Sequence, residues 1–277
     1  MNSLKTNKNK GNGNSPSQEL SQILSYLGVF IILIAIAMLV RSCSYFDAKA
    51  TFPKPSKIAR NADEFIGKSV TIRSRAIQKI GLSSFTVSDA RFFNGKPIVV
   101  INASGVPFDL PLDRDIKVQV TGEVRNLIIP QIEREFNLNI QDEYYKDYIN
   151  QPVIIARYLT LAPQTEQITQ HPEQYYHHQV AVTGKLENIR SPILLTLDKN
   201  QLFGGQDLLV LLKAPPKVTI NQGQTISVIG EVRPFVVTEI EREYNFTWDL
   251  NVKKELEAEY GNRTVLVAEI VYPTEKF

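Results

Sequence analysis

Two glutamates flank an arginine in IEREFN, and the same block returns 108 residues later as IEREYN. Glu133/Glu135 and Glu241/Glu243 are therefore the first candidates for chemistry, as carboxylate pairs for acid–base catalysis. Residues two apart on a helix point ~200° apart, so the two carboxylates of a pair cannot converge on one bond. The pattern predicts the wet face of a helix. Arg125 and Arg233 stand two residues after Glu123 and Glu231, outward on a predicted strand. They can pair with those acids or with the following helix, a structural role and the reading adopted here. The alternative is contact with an anion. His171, His177 and His178 cluster in HPEQYYHHQV near Glu173. Adjacent histidines on a strand point to opposite faces, so a solvated module entrance is favoured over a metal site.

Other chemistry lacks material. The single cysteine, Cys43, excludes an internal disulfide framework and a CxxC metal knuckle. No Walker loop, nucleophile elbow or dinucleotide glycine pattern occurs, and GLSSF lacks G-x-S-x-G spacing. Phe92, Phe93 and Phe203 fall at predicted hairpin tips and read as core edges rather than a base-stacking platform. Asn102, Asn245 and Asn262 open N-x-S/T triplets, which act as glycan acceptors only in a eukaryotic secretory setting. The net charge of +2 with 22% charged residues gives no global preference for nucleic acid or acidic substrates. No catalytic residue, cofactor or metal is assigned.

The elements that position these residues begin after an unusual amino end. Residues 1–19 are polar and predict a disordered tail. Ile23 and Val40 bound eighteen residues without a charge, ~27 Å as a helix, which matches a membrane core. A transmembrane helix is expected over 20–42. A cleaved signal peptide would place small residues where Arg41 stands, and Arg41 also fits poorly before a lipidated Cys43. Residues 43–60, with two prolines and no apolar period, read as a semi-extended stalk.

Beyond the stalk the sequence is written twice. VTGEVRNLIIPQIEREFN (120–137) aligns without gaps on VIGEVRPFVVTEIEREYN (228–245), and YINQPVIIA on YGNRTVLVA. Two modules are expected, 61–163 and 174–273, joined by a linker over 164–173. In DIKVQVTGEVR, Ile116, Val118, Val120, Gly122 and Val124 share one face of a strand. Lys117, Gln119, Thr121, Glu123 and Arg125 share the other, predicted wet, face. PIVVI and LLVLL are buried strands, with Asn94-Gly95 and Gly204-Gly205 as turns before them. Inward Gly122 and Gly230 mark a bend or a close backbone approach. Ile128/Ile132/Phe136 and Val236/Ile240/Tyr244 each make one helical face. Thr238 and Glu241 suggest a capping box. A second helix is expected over Ile140/Tyr144/Tyr148 and over Val252/Leu256/Tyr260, after a four-residue insertion in the second copy.

Five short strands per module, the fourth bent, predict a small closed barrel. With the GKSVTI strand, the FNGKPIVV and FGGQDLLVL hairpins, the GEVR strands and the IERE helices, the modules resemble bacterial membrane-anchored or exported OB-like β-barrel domains. The resemblance covers residues 61–273. It implies a mainly β protein with short helices, an N-terminal transmembrane helix and two tandem OB-like five-stranded barrels. The usual OB barrel has its helix between the third and fourth strands; here it follows the fourth, so no site residue is carried over.

The expected function is non-enzymatic. A single-pass membrane protein, held by the lipid bilayer, would display two modules outside the cytoplasm for protein binding or assembly. Nucleic-acid or polyanion binding through the barrel faces is the alternative. It is disfavoured by the charge balance and the acidic KKELEAEY segment.

Overall fold

The computed structural model describes residues 52–89, 97–110, 116–198 and 206–274, all within one compact unit. Ile23, Val40, Cys43, Phe92, Phe93 and Phe203, and the two glycine turns, lie outside them. Among the described residues no helix is long and apolar enough to cross a membrane.

The alternating stretch around Gly122 forms β4 (Lys117–Asn126), paired antiparallel on one side with β1 (Ser69–Ile80) and on the other with β5 (Pro152–Ala162). β2 (Ser84–Ser88) and β3 (Ile98–Asn102) continue from β1, and β3 returns to β5 in parallel. The circuit β1-β2-β3-β5-β4 is a closed five-strand barrel. Further strands follow as β6 (Gln179–Ser191), β7 (Leu194–Leu197), β8 (Leu208–Leu212), β9 (Thr225–Pro234) and β10 (Thr264–Pro273). These pair β6–β7, β7–β8, β8–β10, β10–β9 and β9–β6, and one parallel pair, Leu161 with Val180, links β5 to β6.

The continuous apolar runs are explained by two buried faces. Ile98, Val100, Ile154 and Ala156 point into the first barrel with Val70, Ile72, Val118 and Val120. Their neighbours Val99, Ile101, Val153 and Ile155 face the other way, under helix α3 (Ile129–Phe136), with Ile129 and Ile132. Beyond β9, Leu209, Leu211, Val265 and Val267 lie under α5 (Val237–Tyr244) with Val237 and Ile240. Ile128 and Val236 are the N-cap residues of these helices rather than core anchors, and Ile128 is 46% exposed.

Gly122 and Gly230 are close-approach positions. A Cβ on Gly122 would lie 2.8 Å from the Ala156 Cα, and one on Gly230 2.8 Å from the Ala268 Cα, with the preceding carbonyl nearer still. The β4–β5 register shifts at Thr121/Gly122 and the β9–β10 register at Ala268/Ile270, where the strands cross most tightly.

Part of the span read as a stalk is folded. α1 (Pro55–Arg60) starts with Pro55 in its first turn and buries Ile58 completely in the first barrel's core. Ser56 donates its backbone N–H and its hydroxyl to Asp89, at 3.0 and 2.8 Å. α2 (Ala62–Phe65) then buries Phe65. The span read as a linker does the same: α4 (Thr165–Gln170) buries Ile168 completely. One apolar residue per short helix was too sparse to register as a period.

The second helix forms only once, as α6 (Leu250–Tyr260), where the Asp249 carboxylate caps the Asn251 and Val252 N–H groups at 2.9 and 3.0 Å. The corresponding stretch of the first barrel makes two 3₁₀ turns, Asp142–Tyr144 and Lys146–Tyr148. No side chain caps them, and Tyr145 is held instead by its hydroxyl donating to Ser84 Oγ at 2.6 Å.

Candidate functional site

The two arginines and their acids come together as helix clamps. Arg125 Nη2 on β4 lies 2.9 Å from Glu123 Oε1 and 3.5 Å from Glu135 Oε2 on α3, so one guanidinium ties strand to helix. On β9, Arg233 pairs with Glu243 of α5 through both terminal nitrogens, one contact at 3.2 Å, and lies 3.5 Å from Glu231. The Tyr244 hydroxyl accepts from Arg233 at 3.3 Å and donates to Glu231 at 3.0 Å. Arg233 is 7% exposed and its pKa is raised, chiefly by the Glu243 hydrogen bond. That same bond lowers the Glu243 carboxyl. Phe136 replaces Tyr244 at the matching turn of α3, so the first clamp lacks the hydroxyl bridge.

The other glutamates of the two blocks are not simply solvated. Glu133 accepts the Ile140 N–H at 2.7 Å, and Glu241 accepts the Trp248 N–H at 3.0 Å, each seven residues downstream. Glu241 also binds Lys253 at 2.7 Å, which with the Trp248 bond lowers its carboxyl pKa. Its capping box with Thr238 does not form. Within each pair one carboxylate binds the loop after the helix and the other an arginine on the preceding strand.

His177 and His178 precede β6 rather than lie on it. His177 has φ 63°, a left-handed position that Gly67 (φ 77°) holds before β1, and its Nδ1 is 3.4 Å from Glu231. His171 faces Glu173 at 3.8 Å, both exposed. Among the described residues no group of three His, Cys, Asp or Glu side chains gathers as around a metal ion.

Sequence reasoning missed a polar seam between the two strand circuits. Gln119 and Thr121, predicted wet, are 2% and 8% exposed, because this outward face of β1 and β4 is covered. Arg73 Nη2 donates to Gln119 Oε1 at 2.9 Å and to Ser227 Oγ of β9 at 3.4 Å. Burial brings the Arg73 pKa down to about 10 and raises that of Tyr272, whose hydroxyl lies among Arg73, Ser227 and Gln119. Phe52 stacks on Tyr272, and Thr160 Oγ1 donates to the Gln179 carbonyl at 2.7 Å across the β5–β6 junction. Ile116 packs into the core enclosed by β6–β10.

A cleft of about 470 Å³ opens on the β6–β7–β8 side. The guanidinium groups of Arg190 and Arg263 both lie over the Tyr260 ring, which is 4% exposed, at 5.4 and 5.7 Å from its centre. Arg190 is ion-paired to Glu259, while Glu187 and Asp207 add two more carboxylates to the wall. Burial raises the Tyr260 pKa, so its hydroxyl stays protonated well into the alkaline range.

A closed circuit of five strands with the third parallel to the fifth defines the class as an OB-like β-barrel. No family model matches the chain, and no curated protein matches it.

Proposed function

We propose that the chain is a single-pass membrane protein that displays two OB-like barrels, copies of one module, outside the cytoplasm as a protein-binding or assembly device. The observation that carries this reading is the seam: Arg73, Gln119, Ser227 and Tyr272 join the barrels through buried polar groups. Such an interface suits one fixed composite surface rather than two independent binders. Leu82 (83% exposed), Val106 (66%) and Tyr144 (50%) add apolar surface at one end of the first barrel. Tyr144 lies beside Gly81 in the β1–β2 turn, and the loop after β3 hangs from the Asn102 N–H bond to Ser83.

Charge opposes nucleic-acid binding. Eight of the 31 Lys/Arg and two of the 29 Asp/Glu precede residue 61, leaving 23 basic against 27 acidic residues beyond it. A polyanion needs the reverse balance, and its affinity would fall steeply with salt.

The test is photo-crosslinking of the intact protein in its native membrane from positions 82 and 144, with exposed Lys254 as control. A reproducible adduct specific to 82 and 144 is expected, and its absence sinks the reading. Protease digestion of sealed cells checks orientation, because protection of residues 61–277 from outside would place the barrels in the cytoplasm.

A further inference from the structure

We infer that the cleft beside Tyr260 is a binding site for a neutral oligosaccharide. The charged groups there are not demanded by the barrel. Cross-strand register makes Asn188/Thr196 of β6–β7 the counterparts of Gln78/Thr86 of β1–β2. By the same register Ile77 stands where the cleft has Glu187, and Ile80 matches Ser191, so Arg190 is an extra residue at the Ile189/Ser191 register shift that β1 lacks. Pro97 stands where the cleft has Asp207, one residue before the next strand. Gln151 accepts the Leu127 N–H just as Arg263 accepts the Phe235 N–H, so Gln151 is the counterpart of Arg263. One barrel closes with apolar or neutral side chains at these three places and the other with two acids and an arginine, to which the register shift adds Arg190. Folding alone accounts for the first set, not the second.

The lining selects the ligand. Its side chains are charged, amide or hydroxyl apart from the Tyr260 ring, so an apolar molecule would strand buried polar groups. Three carboxylates against two guanidiniums leave a near-balanced wall that offers neither a polyanion nor a polycation a dominant attraction. Sugar hydroxyls each donate once and accept twice, so one hydroxyl can accept from Arg190 or Arg263 while donating to Glu187 or Asp207. The amides of Asn188, Gln206 and Gln222 supply further donors and acceptors without charge. Arg190 already lies over Tyr260 and is paired to Glu259, so it loses little freedom on binding. The volume falls within the ~300–1,000 Å³ of small-molecule sites. This inference goes beyond the proposed display function and stands without a protein partner.

The full chain, held in a zwitterionic detergent so that no sugar headgroup competes, is applied to an array of neutral, uronic-acid and sulfated glycans. Retention of neutral oligosaccharides is expected. Titration calorimetry with the best of them should then show binding weakened about tenfold or more in Glu187→Ile and in Arg263→Gln, from loss of charge-assisted hydrogen bonds. Both variants install first-barrel residues, and Trp248 fluorescence should report an unchanged thermal midpoint. Retention of no glycan, retention of acidic glycans alone, or affinity unmoved by both substitutions overturns the assignment. If either variant melts early, Gln206→Ala and Asn188→Ala take its place, and unchanged affinity in both again overturns it.

Discussion

Replacing Arg73 with Met separates the stability of the seam from its geometric role. A guanidinium whose pKa burial brings down to about 10 is held charged in the folded state at a cost of ~3 kcal/mol at neutral pH, taking ~1.4 kcal/mol per pH unit. Part of the Arg73 side chain remains exposed, which reduces that figure. Met fills similar volume and removes the penalty. It also forfeits the bonds to Gln119 and Ser227, worth ~1.5–3 kcal/mol each when the donor is charged, and leaves those buried groups to find new partners. The opposing contributions leave a net change within ~2 kcal/mol of zero, or ~4–8 °C in Tm for a unit of this size. Orientation should respond differently, since an apolar contact tolerates sliding that a two-pronged hydrogen bond does not. With Cys43 replaced and spin labels on exposed Glu64 and Lys254, the label-to-label distance distribution is narrow in the parent and should broaden in Arg73→Met. A distribution that stays narrow while Tm falls by more than ~10 °C would refute the argument and make Arg73 a stability element alone. Alkali gives a second reading. Above pH ~10 the folded Arg73 loses its proton before the unfolded one, which favours the fold as pH rises. The raised pKa of Tyr272 acts in the opposite sense, because the unfolded phenol ionises first. Arg73→Met should therefore lose stability more steeply than the parent above pH 10 in circular-dichroism melts.

Gly122→Ala and Gly230→Ala should each cost several kcal/mol, because the added methyl meets backbone rather than a movable side chain. Gly184→Ala, which meets the Leu197 side chain at 3.2 Å, should cost clearly less, and equal losses in chemical denaturation would discredit the strand-crossing explanation. His177→Gly should be neutral or stabilising by up to ~1 kcal/mol, since it relieves a left-handed backbone at the loss of one exposed contact with Glu231. A loss above ~1 kcal/mol would show that the contact outweighs the strain. Glu241 and Glu243 have lowered carboxyl pKa values, so their contribution is present above the ordinary value of 4.5 and is lost as pH falls through the folded values. The drop in Tm between pH 5 and pH 3 should shrink in Glu243→Gln, and an unchanged drop would remove Glu243 from the acid response.

The circuit of five strands was legible because it rests on periods confined to a few consecutive residues. Val118/Val120/Val124 alternate with polar neighbours, the double-faced runs at 98–102 and 208–212 carry no polar residue before Asn102, and Gly122 and Gly230 sit where only glycine fits. The helices after β4 and β9 were legible for the same reason, and Asn137 and Asn245 end them in the left-handed conformation that asparagine tolerates. Single anchors such as Ile58 and Ile168 make no period, so α1 and α4 passed as stalk and linker.

Chain periodicity says which way a side chain points, and long-range packing alone says what it meets there. Gln119 and Thr121 point outward, as their alternation requires, yet the seam buries them. Glu133 and Glu135 differ by two positions, yet one caps a loop seven residues downstream and the other faces an arginine on the preceding strand. Arg190, Tyr260 and Arg263 come from a strand, a helix end and a loop, and only the closure of β6–β10 brings them into the wall of one cleft. The sequence by itself determined the elements and their inward faces, because those follow from backbone geometry over a few residues. Tertiary structure decided the seam, the clamps and the cleft, because each depends on which outward face another part of the chain covers.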